Sequence, residues 1–247
     1  MFRSAVVILL LTSAALAQDK VLLSRKAKVG DVTRTSMDVA MTADIGGRQV
    51  SLGLKGIEAA TVSAVGADGQ LTVRARAESM SVTLDGNPMP LPPESPSSTV
   101  VMTRLRSLIS YTPGDSTQDA AFEARMFNAT TIVFADKPVG VGDTWTREVK
   151  ADAALGTVAA IAQFKITAFE KVESASTAKV EMTYREAAPG GIQSSGSFWI
   201  DVATGEDVKT EFEFRNVPFP QIGLVNGSMR QNRLTGRAAV AAARQLR

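Results

Sequence analysis

The chain has 247 residues, of which 45% are hydrophobic and 21% charged, the balance of an ordinary folded protein long enough to bury a sizeable core. Its 27 basic and 25 acidic residues leave a net charge of only +2 and are interspersed, which excludes a basic footprint for nucleic acid. With no cysteine and no histidine, disulfides, thiolate nucleophiles, Cys- or His-ligated metals, a lipid-modified N-terminal cysteine and a Ser-His-Asp triad are all excluded.

Met1-Phe2-Arg3 is a short positive start, Ala5 to Leu16 is apolar apart from Thr12 and Ser13, and Ala15-Leu16-Ala17 has the small-x-small form of a cleavage site. This reads as a secretory signal peptide over 1–17, with a mature chain from Gln18 that is secreted or periplasmic. The apolar run is shorter than the roughly 20 residues a membrane span takes. No second such run follows, so no transmembrane segment is expected in the mature chain.

Alternation of apolar and polar residues then dominates, and it predicts strands with one buried face. Met37, Val39, Met41, Ala43 and Ile45 share a face, and Val50, Leu52 and Leu54 repeat the pattern after a Gly46-Gly47 hairpin turn. Gly66-Ala67-Asp68-Gly69 separates the strand ending near Val65 from Leu71-Val73-Ala75-Ala77, with Val82 and Leu84 leading into Asp85-Gly86. Asn87 to Ser98 holds five prolines, which forbids a central strand and predicts a surface loop or linker, its Pro-rich span being 87–98.

Ser116 to Phe127 is the internal helix candidate, with Ser116 as its cap, Asp119 in the first turn and Ala120, Phe122, Ala124 and Met126 as apolar surface. Beyond it, Val158, Ala160, Ala162, Phe164, Ile166 and Ala168 share a face of a long strand, followed by Ala178 to Tyr184. Phe198, Ile200 and Val202 alternate up to the tight turn Asp201–Gly205, and Val208 to Phe214 alternate after it. The tail 237–247, rich in Ala and Arg, reads as a short C-terminal helix or a frayed end.

The expected fold is therefore mainly β: curved antiparallel sheet in two sequential halves, with one short internal helix. The expected organisation is a single secreted β domain over 18–236, its halves about 18–112 and 139–236, joined through the Pro-rich loop and the helix at about 116–127. Val29-Gly30-Asp31-Val32-Thr33-Arg34 is echoed by Val141-Gly142-Asp143-Thr144-Trp145-Thr146-Arg147 with one insertion. The echo reads either as two related sheets facing one another or as a common Gly-Asp turn before a strand.

Without imidazole or thiol, acid–base chemistry falls to carboxylates, Lys and Tyr. Glu206-Asp207 and Asp201 flank one hairpin, and Glu211 and Glu213 share a strand face. Paired carboxylates suit hydrolysis, while alternate acidic residues facing Lys and Arg rows suit a solvated sheet face. No GxSxG, SxxK, Walker or calcium-loop pattern occurs. Asn128-Ala129-Thr130 and Asn226-Gly227-Ser228 match the glycosylation acceptor pattern. No catalytic, cofactor-binding or metal-ligating residue is assigned, and no cofactor is expected. Met37, Met41, Met80 and Met182 at in-facing positions, with small Ala43, Ala75, Ala77, Ala160 and Ala162, read as core filling or as the lining of an adaptable cavity. Either the helix or a lipid-like ligand fills the space they leave.

Ala135-Asp136-Lys137-Pro138-Val139-Gly140-Val141-Gly142-Asp143-Thr144-Trp145 resembles the D-K-P-V-x-V-G-D-x-W segment of a family of uncharacterised secreted bacterial proteins. Gly196 to Lys209, with Asp201-x-x-Thr204-Gly205, is similar to the hairpin that follows in that family. The resemblance implies an architecture and a compartment, and no activity. The strand pattern has a weaker likeness to the curved-sheet carriers of lipids and lipoproteins in the periplasm. The leading functional expectation is a non-catalytic envelope protein that binds an apolar, lipid-like ligand or an envelope protein partner on a concave sheet face. A carboxylate-dependent hydrolase and a structural assembly module are the alternatives.

Overall fold

The computed structural model of the chain describes residues 20–90, 96–115, 119–219 and 222–236. The expected signal peptide over 1–17, the expected Gln18 start and the tail 237–247, read as a short helix or a frayed end, lie outside the described residues. In chain order the elements are β1 (Val32–Ile45), β2 (Arg48–Val65), β3 (Leu71–Leu84), β4 (Asn87–Met89), β5 (Ser98–Met102), β6 (Leu108–Thr112) and α1 (Ala120–Thr130). After α1 come β7 (Thr144–Val149), β8 (Ala160–Val172), β9 (Ala175–Glu186), β10 (Gln193–Asp201), β11 (Asp207–Phe219) and β12 (Gly223–Arg233).

All 12 strands join one antiparallel sheet in the order β6-β5-β3-β2-β1-β12-β11-β10-β9-β8-β7, with β4 beside β3. The chain starts at the centre, meanders to one edge, crosses to the other edge and meanders back. The pairing of β1 with β12, Thr35 opposite Arg233 and Ala43 opposite Val225, welds the two halves into a continuous sheet. The reading of two sheets facing one another is thereby corrected. The echoed segments nevertheless make the same turn. Gly30 N–H donates to Val62 O and Gly142 N–H to Ile166 O, both at glycines with φ near +90° (92° and 89°). Asp31 and Asp143 accept from the backbone N–H of Lys28 and Gly140 at 2.7 and 2.9 Å.

Topology forces the crossing segment onto a sheet face, because residues 113–143 must travel from β6 to β7. Helix α1 touches both β6 and β10, which are seven strand steps apart. In a flat sheet that is about 34 Å, whereas α1, with 11 residues, is roughly 16 Å long. The sheet therefore curves around the helix. The curvature is held by Phe134 N–H donating to Leu105 O at 2.9 Å, and by Arg106 on the β5–β6 loop, which grips Asp207 of β11 with Nη1 and Nη2 of its guanidinium.

Side chains sort as alternation predicts, with local departures. The phase holds along β8 from Ala160 to Ile166, but a register shift between Ile166 and Ala168 turns Ala168 to the outer face, and Val158 precedes the strand. Met80, at 37% exposure, is not core. The Pro-rich span is not all loop: Asn87–Met89 pairs with β3, and Pro88 is tolerated there because β4 is an edge strand. Helix α1 begins later and ends later than its sequence signals suggest. Its N-cap is Asp119, whose carboxylate accepts from the N–H of Ala121 and Phe122; Ser116 lies outside the described residues. Asn128 on this helix is 3% exposed, which puts one of the two glycosylation patterns out of reach.

Candidate functional site

The concave face is filled unequally. Over β8–β11 it is covered by α1 and by the stretch that follows it: Ala129, Ile132 and Phe134 pack against Phe164, Ile166, Val180, Met182, Phe198 and Ile200, all at most 3% exposed. Arg125 fixes the helix there by donating to both oxygens of Glu186 (3.0 and 2.8 Å), whose side chain is fully buried and also accepts from Ile192 N–H at 2.8 Å. Trp145 of the D-K-P-V segment stacks on Phe164 and donates to Val133 O at 2.7 Å, so this motif is a structural corner. The helix and the stretch that follows it thus cover the β8–β11 part of the face.

Over β1, β2, β3 and β5 the face is not filled. A cavity of about 530 Å³ lies between these strands, α1 and the inner sides of β11 and β12. Met37, Val39 and Met41 of β1 line it, with Leu54 and Ala60 of β2, Val73 and Ala75 of β3, and Val100 and Met102 of β5. Phe122, Met126 and Phe127 from α1 close one side, and Phe212, Phe214 and Met229 another. Met37 and Met41 are where alternation places them; Met182 is core beyond the cavity and Met80 does not reach it. Small Ala60 and Ala75 face one another across β2 and β3, which is why the wall recedes there.

One end of the cavity is closed by ions. The extended strap before β1 runs between the two hairpins, Arg25 N–H donating to Arg104 O and Lys26 N–H to Thr204 O, each 2.8 Å. A Cβ on Gly205 would run into the Ser24 backbone, so glycine permits the close passage. Arg25 pairs with Glu206 at 2.7 Å, Thr33 donates to the same carboxylate, and Arg233 bridges Asp201 and Glu206, both at 3.2 Å. The sequence candidates Asp201, Glu206 and Asp207 therefore each carry an arginine. Glu211 pairs with Lys209 at 3.1 Å, and Glu213 lies on the outer face. Among the described residues, no group of three acidic side chains is placed to hold a metal ion.

Besides the arginine-paired Glu206 and Asp207, the cavity is lined by two carboxylates that the sequence reading missed, Glu58 and Glu123. Glu58 follows Leu52 and Leu54 on the inner face of β2, opposite Thr35 on one side and Ala77 on the other. Glu58 keeps contact with solvent, and the side chains of the sheet, α1 and β6 that line the cavity with it crowd its carboxylate. Neither carboxylate has a side-chain hydrogen bond or ion pair among the described residues. Burial, and then the charge of Glu123, raise the Glu58 pKa above the usual carboxylate value. Burial, and then Asp119, raise that of Glu123. Tyr111 of β6 also lines the cavity, and burial raises its pKa as well. The signal that could have found Glu58 is a charge in phase with an apolar strand face.

No family model matches the chain, and no curated protein does. Among solved structures it is similar to lipovitellin, described for its lipid–protein interactions, with a TM-score of 0.53 and 10% identity over 85% of this chain and 26% of that one. The chain thus spans about a quarter of lipovitellin's length, and the likeness is one of fold. A Bacteroides fragilis protein with a YmcC-like fold aligns over 87% of this chain and all of its own, at 12% identity but a TM-score of only 0.28. Among the described residues no helix is long and apolar enough to cross a membrane.

Proposed function

We propose that the protein is a non-catalytic carrier that works outside the cytoplasm, after removal of 1–17, and holds one apolar ligand in the concave cavity. The observation that carries this reading is the cavity itself. At about 530 Å³ it falls within the roughly 300–1,000 Å³ of small-molecule sites, with mostly apolar walls and a few placed polar groups. Five methionines line it (Met37, Met41, Met102, Met126 and Met229), a flexible surface that can close on ligands of differing shape. The rest of the same sheet face is covered by the end of α1 and the stretch that follows it, whereas this part of the face is left open. The lipovitellin-like fold is in keeping with a lipid-like ligand.

The test is uptake of the neutral fluorescent probe N-phenyl-1-naphthylamine. Wild-type protein takes up the probe at close to one per chain. Ala75→Trp, which projects an indole into the cavity, abolishes uptake, whereas Lys165→Trp on the exposed outer face of β8 leaves it unchanged. Absence of uptake by the wild type, or equal uptake by both folded variants, would overturn the reading.

A further inference from the structure

The cavity carries an unbalanced charge. Of its cations, Arg25 is paired with Glu206 and Arg106 with Asp207, while Arg233, outside the lining, also neutralises Glu206. What remains is Glu58 on β2 and Glu123 on α1, both open to the cavity and neither with a side-chain partner among the described residues. Each senses a like charge nearby, Glu58 that of Glu123 and Glu123 that of Asp119, whose own carboxylate is engaged in capping α1. Two partly desolvated carboxylates beside apolar walls, without a counter-ion, repel one another, and a cation seated between them relieves both.

We propose that the cavity selects an amphiphile with a cationic head, of the primary ammonium class, seated between Glu58 and Glu123 with its apolar body along the methionine and phenylalanine walls. This rests on the cavity being an apolar-ligand site and adds the chemistry of the head. An ammonium group has three donors to share between the two carboxylates. A carboxylate or phosphate head meets two like charges in the same place, so the site discriminates by repulsion as well as attraction.

The experiment is calorimetric titration of the whole mature protein at neutral pH with dodecylamine, 1-dodecanol, dodecanoic acid and butylamine, each below its aggregation concentration. Dodecylamine is expected to bind at least about tenfold more tightly than 1-dodecanol, with dodecanoic acid weaker than both and butylamine not bound. Glu58→Gln and Glu123→Gln each remove most of the amine's advantage and leave 1-dodecanol within about twofold of wild type; the second variant, on the helix, serves if the first does not fold. If the three twelve-carbon probes bind alike, or the acid binds best, the head-group inference is wrong and the cavity reading stands. If butylamine matches dodecylamine, the ligand is a small cation and the inference is again wrong. If no twelve-carbon probe binds and N-phenyl-1-naphthylamine is not taken up, both readings fall.

Discussion

Arg125→Leu tests what holds the helix, and with it the cavity wall, in place. The Glu186 side chain is fully buried and accepts three hydrogen bonds, two of them from Arg125. Removing the guanidinium leaves a buried carboxylate with the Ile192 N–H as its remaining partner, a defect that costs about 3–5 kcal/mol. Two lost bonds to a charged group, at about 1.5–3 kcal/mol each, give about 3–6 kcal/mol, which overlaps that range. For a chain of this size Tm falls by about 2–4 °C per kcal/mol, so a drop of roughly 6–20 °C is expected by calorimetry or circular dichroism. Adding Glu186→Gln removes the stranded charge and recovers at least about 1 kcal/mol, which separates electrostatics from lost packing. Because α1 supplies Phe122, Met126 and Phe127 to the cavity, the single variant also takes up less probe. A loss under about 1 kcal/mol, or a double variant no more stable than the single, would refute the reasoning.

Two further outcomes follow from the same geometry. Glu58 keeps its proton to higher pH in the folded chain than in the unfolded one, so the folded state binds more protons between the two values and stability falls as pH rises through that window. The groups that face it are Glu123 and Tyr111, the nearby arginines being paired; the Tm advantage of Glu58→Gln over wild type therefore grows as pH rises above the ordinary carboxylate value, and a flat or reversed difference would contradict the assignment. Gly196→Ala drives a methyl group into the Glu211 carbonyl and the Phe212 side chain across β10 and β11, which lowers the urea midpoint by the equivalent of about 1–3 kcal/mol; an unchanged midpoint would show that the strands can separate at no cost.

What the sequence made legible was the phase of side chains. Met37, Val39 and Met41, or Val180, Met182 and Tyr184, fall on the inner face because a strand allows two faces and burial selects one. Of the elements that alternation missed, β12 is long but carries few apolar residues, and the others were short or interrupted. Ser98–Met102 and Leu108–Thr112 are each five residues long, and the bulge after Ile166 reverses the phase of Ala168. Glu58 went unseen because Gly56 and Glu58 break the apolar run after Leu54, although the ladder opposite Thr35 keeps them on the same face. Trp199 alternates with the inner-facing Phe198 and Ile200 and so falls on the polar face, yet it is 7% exposed there, capped by Lys179 and Lys209 and donating its indole N–H to Glu170. The cavity itself lay beyond local pattern. It exists because β1 pairs with β12 and the crossing segment covers only part of the joined sheet, both consequences of contacts between residues far apart in sequence.

The most direct test of the account is native mass spectrometry of the mature protein purified from its own host. A single discrete added mass, released by organic solvent and retained less by Ala75→Trp, is the predicted result. A bare polypeptide mass, from protein that also ignores the naphthylamine probe, would mean that the hollow between β1–β5 and α1 holds nothing.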